Sequence, residues 1–192
     1  MEIHLTKKEQ LQTNTWQGGT TTQLTIYPKN SLYKNLDFIF RISTATIDVA
    51  QSTFTSLPNV AREIMVLEGE LAIQHKNHYN KQLNKFDTDS FSGDWETISM
   101  GKATDFNVMT RGRARASVKG FSLAEKEKKE LIIDGGKMAV YVYAREVLVE
   151  QSSVKTILKQ GDIALIDKEK DNEAFMLHAQ QPSDIAVAII YQ

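Results

Sequence analysis

Three observations in the amino-acid sequence predict an almost entirely β protein, built as barrels or stacked sheets with little helix. Runs of about 5 to 10 residues rich in Val, Ile, Thr, Phe and Tyr recur along the whole 192-residue chain. Gly, Asn, Asp or Pro separates these runs, as strand-to-strand turns require. No strand–helix alternation appears, which argues against a doubly wound nucleotide-binding fold. Even spacing of short strands suits closed or stacked sheets, which leave few exposed edges.

The first predicted strand, Thr20–Tyr27, sets Thr21, Gln23 and Thr25 on one face and Leu24 and Ile26 on the other. Gly18 and Gly19 before it read as a turn, with no phosphate-cradling glycine pattern after them. In Phe38–Ile47, Arg41, Ser43 and Ala45 share a face opposite Phe40 and Ile42. A long strand over Arg62–Gln74 follows, with Arg62, Ile64, Val66 and Glu68 on one side and Glu63, Met65 and Leu67 on the other. Gly69 within it marks a bend or a close backbone approach. His75 and His78 lie in the polar QHKNHYNKQ stretch, which reads as a solvated hairpin tip. Ala103–Met109 sets Asp105, Asn107 and Met109 against Phe106 and Val108, and Ala114–Phe121 follows.

The charged run LAEKEKKEL, Leu123–Leu131, is the one helix-like segment, either an exposed helix or a solvated connector. Beyond it the strand pattern resumes at Lys137–Val142, Glu146–Glu150, Val154–Leu158, Ile163–Ile166, Ala174–His178 and Ile185–Tyr191. Gly161-Asp162 forms the hairpin turn within that series.

Composition narrows function. A net charge of −1 provides no general field for nucleic acid or anionic lipid. No run approaches the roughly 20 apolar residues of a membrane span. The opening MEIHLTKKEQ lacks the apolar core of a secretion signal, so a cytoplasmic protein is expected. With zero cysteines, disulfides and thiolate chemistry are excluded. No cofactor is expected. The expected partner is a small molecule, with a homodimer left open.

Chemistry concentrates in four polar clusters within the strands. They comprise Trp16, Thr21 and Gln23; Arg41 and Ser43; Arg62 and Glu68; and Asp94 with Asp105 and Asn107. Two readings stand side by side. Arg41 can pair internally with Asp105 or Glu68, since buried charge needs a partner. Alternatively, Arg41 and Arg62 open onto a pocket and hold a carboxylate, which a guanidinium meets with two parallel hydrogen bonds. No Ser lies in a nucleophile elbow with a His partner.

The string VLEGELAI resembles the first motif of the cupin barrels. In those proteins a Glu about seven residues before the glycine and two His upstream hold a metal. The corresponding residues here are Arg62, Thr55 and Leu57. Arginine and leucine have no lone pair to give a cation, so the metal-binding set is absent from the frame.

Five motifs in order then resemble the HutD/Ves family of bicupins: WQGGTTTQLTIYP, FIFRISTATI, FTSLPNVAREIMVLEGE, FSGDW and DFNVMTR. The resemblance covers the first ~125 residues, and the second half matches through barrel patterning only. It implies one compact bicupin unit over 1–192, two cupin-like barrels sharing a core, with halves at 1–122 and 131–192. It also implies a pocket lined by the matching residues and an association with histidine utilisation, in which an intermediate such as formylglutamate is bound rather than converted. The family's Thr-Arg-Glu is replaced here by Thr21-Thr22-Gln23, a loss of two charges.

Two function classes follow. One is a metal-free, carboxylate-binding protein with a regulatory or sensing role. The other is a metal-independent isomerase or epimerase acting on a small polar acid, with Glu68, Asp94 or Asp105 as its titratable group.

Overall fold

The computed structural model describes residues 2–133, 136–151, 154–167 and 173–191. Nineteen strands and two single-turn 3-10 helices, Lys8–Gln10 and Tyr33–Asn35, form the regular structure of the described residues. In chain order the strands begin with β1 (Glu2–Thr6), β2 (Gln12–Trp16), β3 (Gly19–Tyr27), β4 (Phe40–Ile47), β5 (Gln51–Thr53) and β6 (Val60–Gly69). They continue with β7 (Leu71–His75), β8 (Asn80–Leu83), β9 (Thr88–Ser92), β10 (Thr97–Met100), β11 (Ala103–Arg111) and β12 (Arg115–Leu123). The last seven are β13 (Lys128–Ile133), β14 (Lys137–Ala144), β15 (Glu146–Gln151), β16 (Val154–Lys159), β17 (Ile163–Asp167), β18 (Glu173–Ala179) and β19 (Ser183–Tyr191). The predicted all-β class is what the chain adopts. Among the described residues no helix is long and apolar enough to cross a membrane.

The chain divides into two compact units, residues 11–118 and residues 1–10 with 119–192. In the unit 11–118, a six-stranded sheet runs β2-β3-β4-β11-β6-β9 and a four-stranded sheet runs β5-β10-β7-β8. Ile64, Val66 and Phe91 from the first sheet pack with Leu71, Ile73 and Leu83 from the second. Burying such side chains contributes about 1.5–3 kcal/mol each. A second cluster, Phe38, Leu57, Val60 and Met109, packs with Ile26, Tyr33 and Leu36.

The other unit has sheets β1-β17-β14-β19-β12 and β13-β18-β15-β16. Val140, Ile166 and Ile185 of one sheet meet Val147, Phe175 and Leu177 of the other in its core. The first residues of the chain belong here rather than with the first half. Leu5 in β1 pairs with Ala164 in β17. The Asp162 carboxylate fastens the segment, accepting from Lys8 N at 3.0 Å, Lys159 N at 3.0 Å and Lys7 Nζ at 2.8 Å.

Several local expectations change. The single strand over Arg62–Gln74 is two strands in different sheets. The chain crosses at Gly69, where φ is 78° and an added Cβ would stand 2.3 Å from the Lys102 carbonyl oxygen. Leu123–Leu131 is neither helix nor simple connector. It is a tight turn, with the Ala124 amide donating to the Glu127 carboxylate at 2.8 Å, that leads into β13. That strand lies at a sheet edge, where Lys128, Lys129 and Glu130 discourage pairing with another chain. His75 is not at a solvated tip but 2% exposed. Its Nε2 lies 2.8 Å from Asp89 Oδ2 and its Nδ1 2.8 Å from Thr97 Oγ1. His78 does lie in the β7–β8 turn, with its ring stacked 3.7 Å from that of Trp95.

Candidate functional site

The pocket of the unit 11–118 rises from the six-stranded sheet, and strand register decides what faces it. Across β4, β11 and β6, Arg41 pairs with Met109 and Met109 with Arg62, forming one rung. Ser43 and Asn107 form the next rung, then Ala45 and Asp105. Strict alternation on these regularly paired segments sends Arg41, Ser43, Asp105, Asn107 and Arg62 to a common face. That face, together with residues of the β5 segment and β2, borders an open pocket of about 400 Å³. Trp16, Thr21, Arg41, Ser43, Arg62, Asp105 and Asn107 line it, together with Tyr33, Phe54, Asn14, Ser52 and Thr55. The volume suits a small molecule.

Gln23 stands behind this lining. Its Oε1 accepts from Arg41 Nε at 2.9 Å, and Ser43 Oγ accepts from Arg41 Nη1 at 3.1 Å. Tyr33 lies over the guanidinium, with Arg41 Cζ 4.3 Å from the ring centroid. These contacts fix the direction of the Arg41 side chain. Burial lowers its pKa, and Tyr33 acts in the other direction.

Arg62 is held differently. Its Cζ lies 4.7 Å from the Phe54 centroid and 5.2 Å from that of Phe91. Its Nε is buried without a hydrogen-bond partner. Burial pulls its pKa from 12.5 down to about 10, with the positive charge of Arg41 adding to the fall and Asp105 opposing it. The group stays a cation at neutral pH. Asp105, 3% exposed, is raised from 3.8 to about 7 by burial, although Arg62 and the Ala45 amide favour its charged form. Its Oδ1 and Asn107 Oδ1 are also buried without partners.

Two expected members are elsewhere. Glu68 is exposed and outside the lining. A β-bulge shifts the β6–β11 register between Thr104 and Asp105, so Glu68 pairs with Thr104 while Asp105 pairs with Val66. The extra residue turns Glu68 to the opposite face from Arg62. Asp94 is exposed in the turn between β9 and β10. In the FSGDW motif it is Gly93 that is constrained, since an added Cβ would lie 2.7 Å from the Leu57 carbonyl oxygen and 2.9 Å from that of Val60. A second bulge, between Gln23 and Thr25 in β3, pairs Thr25 with Ile42 and so turns it from the face it was expected to share with Gln23.

Tyr33 and Phe54 were missed by the sequence reading. Tyr33 opens the single-turn 3-10 helix Tyr33–Asn35 and Phe54 follows β5, and only the distant arginines they cover would have singled them out. Gly18 and Gly19 serve the pocket sterically. A Cβ at Gly18 would meet the Trp16 ring at 2.1 Å, and one at Gly19 would meet the Thr46 carbonyl oxygen at 1.8 Å.

The residues do not suit the metal of the cupin frame. Of the three corresponding positions, Thr55 and Arg62 line the pocket and Leu57 is buried in the small apolar cluster. Neither Arg62 nor Leu57 offers a lone pair. Among the described residues no group of three or more His, Asp or Glu is arranged to hold an ion.

Comparison with known proteins agrees with this architecture. A conserved protein of unknown function, PA5104 from Pseudomonas aeruginosa PAO1, superimposes with a TM-score of 0.87 at 18% identity, covering 100% of both chains. HutD from Pseudomonas fluorescens SBW25, solved in a formate condition, gives 0.77 at 19% identity, covering 100% of this chain and 99% of that one. Oxalate decarboxylase from Bacillus subtilis, studied for its Mn(II) centres, gives 0.72 at 5% identity, covering 96% of this chain and 76% of that one. At these identities the likeness is one of fold, here the cupin fold. No curated protein matches the sequence. The HutD family profile matches residues 8–187, nearly the whole chain, and the protein therefore belongs to the HutD family.

Proposed function

We propose that the pocket of the unit 11–118 binds a small carboxylate without a metal, and that the protein is a binding or sensing component rather than a catalyst. The observation that carries this reading is the pair of buried arginines, Arg41 and Arg62, lining one pocket. Arg62 retains an unspent buried donor. A buried cation whose hydrogen-bonding capacity is unspent is costly, and an anion brings it both charge and acceptors. Family membership supports a link to histidine utilisation, with formylglutamate-like acids as the first probes. A thermal-shift screen of histidine-pathway acids and sugar acids tests the reading. At least one acid should raise the melting temperature in wild type and not in Arg62→Met. Absence of any shift across both series would remove the proposal.

One observation favours a second reading, a metal-independent isomerase or epimerase. Asp105 is the carboxyl group of the pocket lining, and burial brings it to about 7, where a general acid or base works well. Solvent-deuterium exchange at the carbon next to the carboxylate, followed by proton NMR, tests it. Exchange that depends on protein and is abolished in Asp105→Asn would establish catalysis.

A further inference from the structure

Asp105 and Arg62 line the same pocket and feel one another's charge, yet Arg62 Nε and Asp105 Oδ1 are each buried without a hydrogen-bond partner. Two such groups in contact would satisfy one another. Register explains why they do not. Arg62 is level with Met109, and Asp105 lies four residues further along β11, roughly 13 Å at the backbone. Between them stands the Ser43–Asn107 rung, where Asn107 Oδ1 is a further buried atom without a partner.

The polarity along the pocket is therefore ordered. Guanidinium donors stand at one end, an amide in the middle, and a carboxyl group at the other. An anion satisfies the first end only. A plain carboxylate that fills the pocket leaves Asp105 Oδ1 facing hydrocarbon, and an orphaned buried acceptor is expensive. Building on the carboxylate-binding reading above, we infer that the preferred ligand is an acid that also carries an O–H or N–H donor, its carboxylate on the arginine rung and its donor turned to Asp105 and Asn107. Asp105 is then a specificity-determining residue, which selects among acids rather than attracting them. Hydroxy acids and acylamino acids have this chemistry, while unsubstituted fatty acids do not.

Matched probes separate this inference from the reading on which it rests. Butyrate and its 2-, 3- and 4-hydroxy derivatives place one donor at successive distances from a constant carboxylate. Their affinities are measured by calorimetry, or by competition when weak, at pH 8, with melting curves confirming that each variant is folded. At least one hydroxy isomer should bind roughly 10- to 150-fold more tightly than butyrate, the range for a hydrogen bond to a charged group. In Asp105→Asn, where a carboxylate becomes an amide of nearly the same shape, that ratio should fall at least severalfold. Asn107→Ala, which removes the second acceptor, provides the same test if Asp105→Asn does not fold. Binding of butyrate and all three hydroxy acids with equal affinity would overturn the inference and leave carboxylate binding intact. A preference that survives both substitutions would also overturn it. Failure of every acid to bind would remove the carboxylate reading and this inference together.

Discussion

Replacing Arg62 by Met tests whether the buried cation holds a ligand or holds the fold. The two side chains are similar in length, so packing against Phe54 and Phe91 is largely retained and the charge is removed. Keeping Arg62 charged is costly in the unliganded protein. The fall of its pKa from 12.5 to about 10 corresponds to about 3 kcal/mol at about 1.4 kcal/mol per pH unit. A carboxylate that pairs with the guanidinium can recover a comparable amount, in line with the ~1.5–3 kcal/mol of a charge-assisted hydrogen bond. Arg62→Met should therefore weaken acid binding roughly 10- to 150-fold. Unfolding stability should stay level or rise, because exchanging a poorly compensated buried charge for an apolar side chain is often neutral or favourable. Calorimetric titration and urea unfolding of the same samples give both quantities. Unchanged affinity with a stability loss of about 3 kcal/mol or more would mean that Arg62 is a structural partner of Asp105, and the pocket argument would fail.

Three further outcomes are expected. Asp105 has a folded-state pKa raised from 3.8 to about 7, so its contribution to stability is complete below pH 3.8 and is lost as pH rises through 7. Wild type should lose stability relative to Asp105→Asn by up to about 1.4 kcal/mol per pH unit in that window, and a difference constant from pH 5 to 8 in urea titrations would contradict this. His75→Ala removes one partner from each of the buried Asp89 and Thr97 side chains. It should cost about 2–5 kcal/mol in unfolding free energy, and a cost under about 1 kcal/mol would show that the cluster relaxes. At Gly19, φ is +150° and a Cβ would overlap the Thr46 carbonyl oxygen. Gly19→Ala should yield little folded protein, and a well-folded variant with a wild-type melting curve would refute the constraint.

The sequence disclosed the pocket lining wherever pairing is regular and obscured it wherever one residue is inserted. Arg41, Ser43, Asp105, Asn107 and Arg62 lie on uninterrupted ladders, so period-two alternation carried each to the correct face. Glu68 and Thr25 lie just beyond bulges, and one extra residue inverts the face of everything after it. Nothing in VLEGE marks the insertion, because a bulge is defined by the partner strand. Long-range partners were illegible for the same reason. His75 looked solvated among Lys and Asn neighbours, yet Asp89 in β9 and Thr97 in β10 bury it from the other side. The charges of Leu123–Leu131 suggested a helix because their spacing fits several structures. The apolar residues that decided the outcome, Leu131 inward and Ile132 outward at 53% exposure, come only at its end.

The cupin frame and the arginine pocket answer one physical problem in different ways. A cupin that binds a metal recruits its positive charge from solution, with His and Glu donors shaping the cavity around an ion. Here the charge is covalent, since Arg62 occupies the position of the metal-ligating Glu and projects a guanidinium into the cavity. A ligating Glu needs the metal to neutralise it, whereas an arginine needs an anion. On the carboxylate-binding reading proposed above, the substitution reverses the sign of the species the pocket recruits. Phe54 and Phe91 over Arg62, and Tyr33 over Arg41, then assume part of the role of water around a buried cation, because their ring faces are electron-rich but accept no strong hydrogen bond. That keeps each guanidinium charged without exhausting its donors. Arg41 does lend two of them to Gln23 and Ser43, which fixes its direction, while Arg62 remains the less committed of the pair. One arginine is preorganised and the other is under-satisfied. In that reading the first would limit the entropy lost when an acid is ordered, and the second would provide the stronger drive to bind it.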